Sequence, residues 1–313
     1  MRFFISSHIK RNKPLYYSVI LFLVFALIFW IASWIHFYTK YGFSKENLVK
    51  YFFIDPEFPE RVSLAQISED FHIGIFIHGV MLITLFSLLN ITHWKPKVKL
   101  ALIFLTSLFM LFYLLSDFII LSPSLVLLKL ISFLLYQVAY LFLILMVFLG
   151  IFRDETKQDQ GFLRLVVFVF SVLSLFFIAS NFLNFYTKMG FSLQGVTDYF
   201  LGNPELFIRK KSFDGVFKVF YPHLIAMAIY SLIHAHLLPF AGLSKNKSLL
   251  FGVSIFLFSF LDNLSSLVLL YMGYPIAYLK LLSFFLLQVS LLTSSLILLR
   301  SSLKRSSYPS LYL

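Results

Sequence analysis

Five histidines lie on two long apolar segments of the chain and are the residues best suited to bind a metal or a cofactor. His72 and His78 belong to the first segment, and His223, His234 and His236 belong to the second. On an α-helix a spacing of eleven residues leaves a rotation of about 20°, so His223 and His234 share a face about 16 Å apart. Imidazole side chains ligate haem iron and other metals, and they change charge near neutral pH.

His72 and His223 lie near the starts of their segments, at similar distances from Ser63 and Ser212. Two neutral imidazoles from facing helices are what a b-type haem needs on opposite sides of its ring. We therefore expect haem b, with His72 and His223 as ligands of the iron. The rest of this predicted site comprises His78, His234, His236, Lys129 and Lys280. The alternatives are another metal, or histidines that only form interfacial and interhelical hydrogen bonds.

A lysine, a serine and a glutamine recur at one spacing in two further segments. Lys129, Ser132 and Gln137 are repeated as Lys280, Ser283 and Gln288 at an offset of 151. At about 100° per residue these positions fall within one broad face of a helix. Either the lysines snorkel to the headgroups while the other two residues join helices, or the lysines bind an anionic group such as a haem propionate or a quinone head.

Asp117 and Asp262 fall within apolar runs that precede the two lysines. A carboxylate in this setting either pairs with the neighbouring lysine or keeps its proton, because desolvation disfavours the charged form. A structural ion pair and a proton relay both fit the pattern. The separation from aspartate to lysine is twelve residues in one case and eighteen in the other, so the two acids do not align at the offset of the lysines.

The composition requires a membrane to position these residues. Of the 313 residues 60% are hydrophobic and 13% are charged, with a mean hydropathy of +0.88, whereas soluble proteins are about 45–50% apolar and about 25% charged. The chain has no cysteine, which excludes disulfides, thiolate metal sites and covalent c-type haem. It also lacks a Walker loop, the glycine-rich sequence that binds the phosphates of a nucleotide.

Apolar runs between charged residues, proline and glycine predict an all-α integral membrane protein with eight transmembrane helices. The predicted spans are roughly 15–38, 72–92, 100–121, 125–151, 163–186, 216–240, 249–272 and 275–299. Short extracytoplasmic segments, about 40–71 and 187–215, separate helices 1 and 2 and helices 5 and 6. Each segment should follow a glycine helix cap and contain a short amphipathic helix.

The chain contains an internal sequence repeat. Residues 36–44 match residues 184–192 at an offset of 148, and Pro56-Glu57 matches Pro204-Glu205 at the same offset. Together with the lysine motif at an offset of 151, these matches predict two tandem four-helix repeats, about 1–151 and 152–313. Because the number of spans in each repeat is even, the repeats should be parallel.

Lysine and arginine in the short loops predict that both termini are cytoplasmic, in a bacterial inner membrane. The formal net charge of +12 is explained by the lipid bilayer, so nucleic acid is not an expected partner. The leading functional hypothesis is a b-type haem subunit that transfers electrons or interacts with quinone or a redox partner protein. The alternatives are a non-catalytic membrane scaffold or assembly subunit, and a small-molecule or ion carrier.

Overall fold

A computed structural model describes residues 13–53, 61–152 and 160–304, and most of these residues are α-helical. The chain divides into two compact units, Met1–Val166 (unit 1) and Val167–Leu313 (unit 2). The division falls 15 residues after the predicted boundary at 151, inside a helix that the sequence assigns wholly to the second repeat.

Each unit contains four long helices, and a short helix follows the first of them. The helices of the first repeat are α1 (Lys13–Tyr41), α2 (Lys45–Phe52), α3 (Leu64–Asn90), α4 (Pro96–Ile119) and α5 (Leu127–Phe152). Their counterparts are α6 (Gln160–Met189), α7 (Leu193–Leu201), α8 (Phe213–Leu237), α9 (Lys245–Met272) and α10 (Tyr274–Leu303). The same order of long and short helices therefore occurs twice.

Within the described residues, eight helices, all but α2 and α7, are long and apolar enough to cross a membrane. The predicted number and order of spans are confirmed. The start of α3 differs, since the helix begins at Leu64 and the sequence predicted 72. Ser63 caps this helix by accepting a hydrogen bond from the N–H of Gln66, and polar first turns are compatible with a helix although they are not part of an apolar run.

Glycines end the first long helix of each unit. Gly42 and Gly190 have φ values of +67° and +65°, and their N–H groups donate to the carbonyls of Tyr38 and Tyr186 at 2.9 Å. Glycine adopts this left-handed conformation without a steric penalty. The predicted glycine caps are confirmed, and each one turns the chain into the following short helix.

A stacked aromatic pair joins the first and last long helices of each unit. The rings of Phe37 and Phe133 lie 4.0 Å apart at 19°, and those of Phe185 and Phe284 lie 4.0 Å apart at 26°. Each site lysine lies four residues before the second phenylalanine of its pair. The packing of α5 on α1, and of α10 on α6, therefore sets the position of that lysine.

The predicted match of Pro56-Glu57 with Pro204-Glu205 is only partly covered by the structure, since Pro56 and Glu57 lie outside the described residues. In the other repeat, Pro204 begins a single 3₁₀ turn, Pro204–Leu206, after an N-cap asparagine.

Candidate functional site

Each unit contains one buried lysine that meets an aspartate of the neighbouring helix. In unit 1 the Nζ atom of Lys129 lies 2.7 Å from Oδ1 of Asp117 and donates to the carbonyl of Tyr113 at 3.1 Å. In unit 2 the Nζ atom of Lys280 lies 2.8 Å from Oδ1 of Asp262 and donates to the carbonyl of the same residue at 2.9 Å. Of the two interpretations of these aspartates, the geometry is that of the ion pair.

The backbone explains the unequal spacing of the two pairs. The lysine-bound carbonyls belong to residues 113 and 262, which differ by 149. The helix N-caps Ser63 and Ser212 differ by the same number. Each ammonium group therefore lies at an equivalent place on α4 or α9. Only the carboxylate has moved, from the carbonyl-bearing residue in unit 2 to a residue one turn later, Asp117, in unit 1.

The two pairs differ in burial. Lys129 and Asp117 have side chains 2% and 7% exposed, while those of Lys280 and Asp262 are 8% and 15% exposed. Snorkelling to the headgroups, expected as one interpretation of the lysines, does not describe Lys129, because its ammonium is held inside the unit by the aspartate. A buried ion pair of this kind needs good geometry and further hydrogen bonds to offset desolvation.

The serines and glutamines of the motif have different roles in the two units. The hydroxyls of Ser132 and Ser283 donate to the carbonyls of the site lysines on their own helices, so they do not join helices as predicted. Gln288 does join helices, since its Oε1 accepts from Asn181 of α6 at 3.0 Å. In unit 1 the Oε1 of Gln137 has no hydrogen-bond partner among the described residues.

A second ion pair lies near the first one in unit 1. Nζ of Lys40 is 2.6 Å from Oδ2 of Asp70, and both side chains are about one-fifth exposed. The Tyr41 ring links the two pairs, because its centroid is 5.2 Å from Nζ of Lys40 and 5.1 Å from Nζ of Lys129. The hydroxyl of Tyr51 also donates to Asp70 at 3.2 Å. Burial, and then the charge of Asp70, raise the pKa of the Tyr51 hydroxyl.

The outer pair is not visible in the residues that both repeats share. At the offsets of 148 and 149, Met189 replaces Tyr41 and Val219 replaces Asp70. A comparison of the repeats for charged residues present in only one of them would have found Asp70. Unit 1 therefore has two ion pairs next to each other, and the aspartate of the outer pair is replaced by valine in unit 2.

The candidate histidines of unit 1, His72 and His78, are both on α3. Nδ1 of His78 and the hydroxyl of Tyr136 on α5 are hydrogen-bonded at 3.0 Å, and the two rings meet edge to face at 5.1 Å. His72 is half-buried. The interhelical hydrogen bond expected as one interpretation is present for His78.

The candidate histidines of unit 2 are all on α8. His234 is fully buried, with Nδ1 3.2 Å from the carbonyl of Tyr230 and Nε2 3.3 Å from the hydroxyl of Ser295 on α10. A carbonyl can only accept, so Nδ1 carries the proton and Nε2 accepts from the serine. His223 and His236 are half-buried.

The positions of the candidate histidines determine which ligands each unit could supply to a metal ion. The candidate histidines of one unit come from a single helix, so they do not face each other across that unit. Within the described residues, no group of three or more His, Cys, Asp or Glu side chains could hold a metal ion. The haem site built on His72 and His223 stays a prediction.

Comparison with known protein families finds one match that covers more than half of the chain. The family described as Aq_1264_TM, a transmembrane helical domain, matches residues 42–160 and 190–309. Each match covers the short helix and three of the long helices, while most of α1 and of α6 lies outside it. No curated protein and no solved structure matches the chain significantly. The chain is a multi-pass membrane protein that belongs to the Aq_1264_TM family and carries its transmembrane helical domain twice.

Proposed function

We propose that the protein is a non-catalytic membrane scaffold or assembly subunit. The observation that carries this proposal is that Lys129 and Lys280 each meet a carboxylate within their own unit, at 2.7 Å and 2.8 Å. An ammonium group that is neutralised in this way fixes the packing of two helices, and it is a poor site for a haem propionate or another anion.

The interior hydrogen bonds support the same role. His78 joins α3 to α5, His234 joins α8 to α10, and Asn181 joins α6 to α10 through Gln288. Polar side chains of this kind link transmembrane helices because the hydrocarbon offers them no other partner. In a scaffold, these contacts determine the arrangement of the helices that a partner protein recognises.

The test replaces each ion pair in the full chain by apolar residues of similar volume. A scaffold should tolerate the combined changes Asp117→Leu with Lys129→Met and Asp262→Leu with Lys280→Met. We expect this variant to insert into membranes as the wild type does and to copurify, in mild detergent, with a second membrane protein in fixed ratio. The proposal fails if the wild-type chain purifies without any partner, or if the variant inserts normally and loses a redox or transport activity that the wild type shows.

Electron transfer through a b-type haem is the second candidate, and one contact favours it. Nδ1 of His223 lies 2.8 Å from the carbonyl of Val219. A carbonyl partner places the proton on Nδ1 and the lone pair on Nε2, and histidines that ligate metals commonly donate their other ring N–H to a carbonyl in this way. His72 and His223 lie on the equivalent helices α3 and α8, and quinone or a redox protein would be the electron partner.

An optical spectrum separates the two candidates. A scaffold gives purified protein without a Soret band, even when the cells are supplied with haem during expression. A b-type cytochrome gives a Soret band and a reduced α-band that both disappear in His223→Ala. Alanine at the exposed residue Asn246 (Asn246→Ala) is the control and should leave the spectrum unaltered.

A further inference from the structure

The turn between α3 and α4 in unit 1, Ile91–Lys95, is built differently from the corresponding turn of unit 2. Lys99, on the first turns of α4, donates from Nζ to the carbonyl of Asn90 at 2.7 Å and so closes the end of α3. The Trp94 indole donates to the carbonyl of Met146 on α5 at 2.8 Å. A Cβ at Gly150 would lie 2.5 Å from Thr92, so the turn packs closely on α5.

Two side chains of this turn region lack hydrogen-bond partners within the described ranges. Asn90 is only 1% exposed, and neither its Nδ2 nor its Oδ1 atom has a partner there; the same holds for both ring nitrogens of His93. Buried polar groups are nearly always satisfied by protein, water or a ligand. Asn90 offers both a donor and an acceptor, so a matching ligand carries hydrogen-bonding groups of both kinds.

The charge around the turn favours an anion. Lys95 in the turn and Lys97 in the first turn of α4 are exposed, and the ammonium of Lys99 donates to the carbonyl of Asn90. The first turn of α4 contains no acidic residue, and the partial positive charge of a helix N-terminus adds to the three lysines. Because α3 and α4 both span the membrane, this turn lies at the depth of the phospholipid headgroups.

Unit 2 provides an internal comparison. At the offset of 149, Pro239 replaces Asn90, Gly242 replaces His93, and Ser248 replaces Lys99. The amide, the imidazole and the buried ammonium are therefore all absent from the second copy of the turn. The combination is a property of unit 1 and not of the fold that the two units share.

We propose that the α3–α4 turn of unit 1 binds the headgroup of an anionic phospholipid through Asn90, His93 and Lys99. The phosphate accepts hydrogen bonds from the asparagine amide, the imidazole and the ammonium. A headgroup hydroxyl, such as the glycerol hydroxyls of phosphatidylglycerol, donates to Oδ1 of Asn90. Basic sites between transmembrane helices bind anionic lipids in this manner.

The experiment measures lipid retention by native mass spectrometry on the full-length protein. Protein reconstituted in an equal mixture of phosphatidylglycerol and phosphatidylcholine should retain phosphatidylglycerol selectively. Asn90→Leu leaves the net charge unchanged, and we expect it to weaken retention about tenfold, as the loss of hydrogen bonds to a charged group does. The matched control is Asn246→Leu, which removes an exposed amide from the first turn of α9 and should have no effect.

His93→Phe is the second variant and should also weaken retention of phosphatidylglycerol. It keeps the proposal testable should Asn90→Leu fail to fold. The proposal is overturned if the wild type does not prefer phosphatidylglycerol, or if a folded Asn90→Leu or His93→Phe protein retains it as the wild type does. Inorganic phosphate added to protein in phosphatidylcholine alone identifies the source of the anion. Thermal protection by phosphate as large as that by phosphatidylglycerol would mean that a free phosphate is the ligand and would overturn the lipid assignment.

Discussion

At the scale of single residues, the most informative feature is that the same lysine finds its counter-ion at two different positions. The ammonium groups of Lys129 and Lys280 each contact a carbonyl at an equivalent place, while the acids differ by one turn. A buried ammonium left without a partner is costly, whereas the exact residue that supplies the carboxylate is less constrained.

Breaking the inner pair of unit 1 should therefore cost more than removing it. Asp117→Asn should lower the free energy of unfolding by about 3–5 kcal/mol, because Lys129 keeps a buried charge without a counter-ion. The double change Asp117→Leu with Lys129→Met should cost less than the single change. A double-mutant cycle on denaturant unfolding in detergent measures the difference, and equal losses for the single and double variants would contradict the prediction.

The two motif glutamines provide a matched residue-scale prediction. Gln288→Leu removes the partner of Asn181, so the free energy of unfolding should fall by about 0.5–2 kcal/mol. Gln137→Leu removes an Oε1 atom that has no partner in the described part of the chain, and it should be neutral or stabilising. Thermal unfolding of both variants in one detergent is the measurement. A larger loss in Gln137→Leu than in Gln288→Leu would disagree with the geometry.

At the scale of elements, the sequence predicted the features that follow from the pattern of apolar residues and glycines. It did not predict those that depend on a polar cap or on an ion pair between distant residues. The eight spans and the glycine caps follow from hydropathy and from the backbone freedom of glycine. Hydropathy did not predict the start of α3, because the first turns of this helix are polar and its N-terminus is set by the capping residue Ser63. The Asp70–Lys40 pair did not follow either, since its partners are thirty residues apart and only one repeat contains the acid.

The glycine turns carry an element-scale prediction. Gly42 and Gly190 both have a positive φ, so alanine at either position should destabilise the protein by about 1–2 kcal/mol. At Gly42 the new Cβ would also lie 2.5 Å from Nδ2 of Asn47, whereas no atom of the described residues lies within 4 Å of the corresponding Cβ at Gly190. Gly42→Ala should therefore lower the melting temperature more than Gly190→Ala. The reverse order would show that the contact with Asn47 does not limit the turn.

At the scale of the whole molecule, the described residues of each unit form four helices able to span the membrane, an even number. An even number of crossings returns the chain to the side on which a repeat began. We therefore expect equivalent loops of the two repeats to face the same side. From the excess of lysine and arginine in the shorter loops we expect those loops, in both repeats, to face the cytoplasm.

Cysteine labelling tests this topology cleanly because the chain contains no cysteine of its own. Single changes at the exposed residues Lys97→Cys and Lys247→Cys should react only with a thiol reagent that enters the cytoplasm. Lys50→Cys and Lys210→Cys should react with a reagent that does not cross the membrane. Labelling of Lys97→Cys and Lys247→Cys from opposite sides would show that the repeats are inverted, and labelling of both by the impermeant reagent would reverse the orientation.

The one-turn displacement between Asp117 and Asp262 also suggests how such proteins diverge after gene duplication. An ancestral unit could acquire a second acid one turn away before it lost the first, and the lysine would remain neutralised at every step. Counter-ions in duplicated membrane proteins can then drift along a helix, and sequence alignments that require the acids to coincide will overlook such homologous pairs.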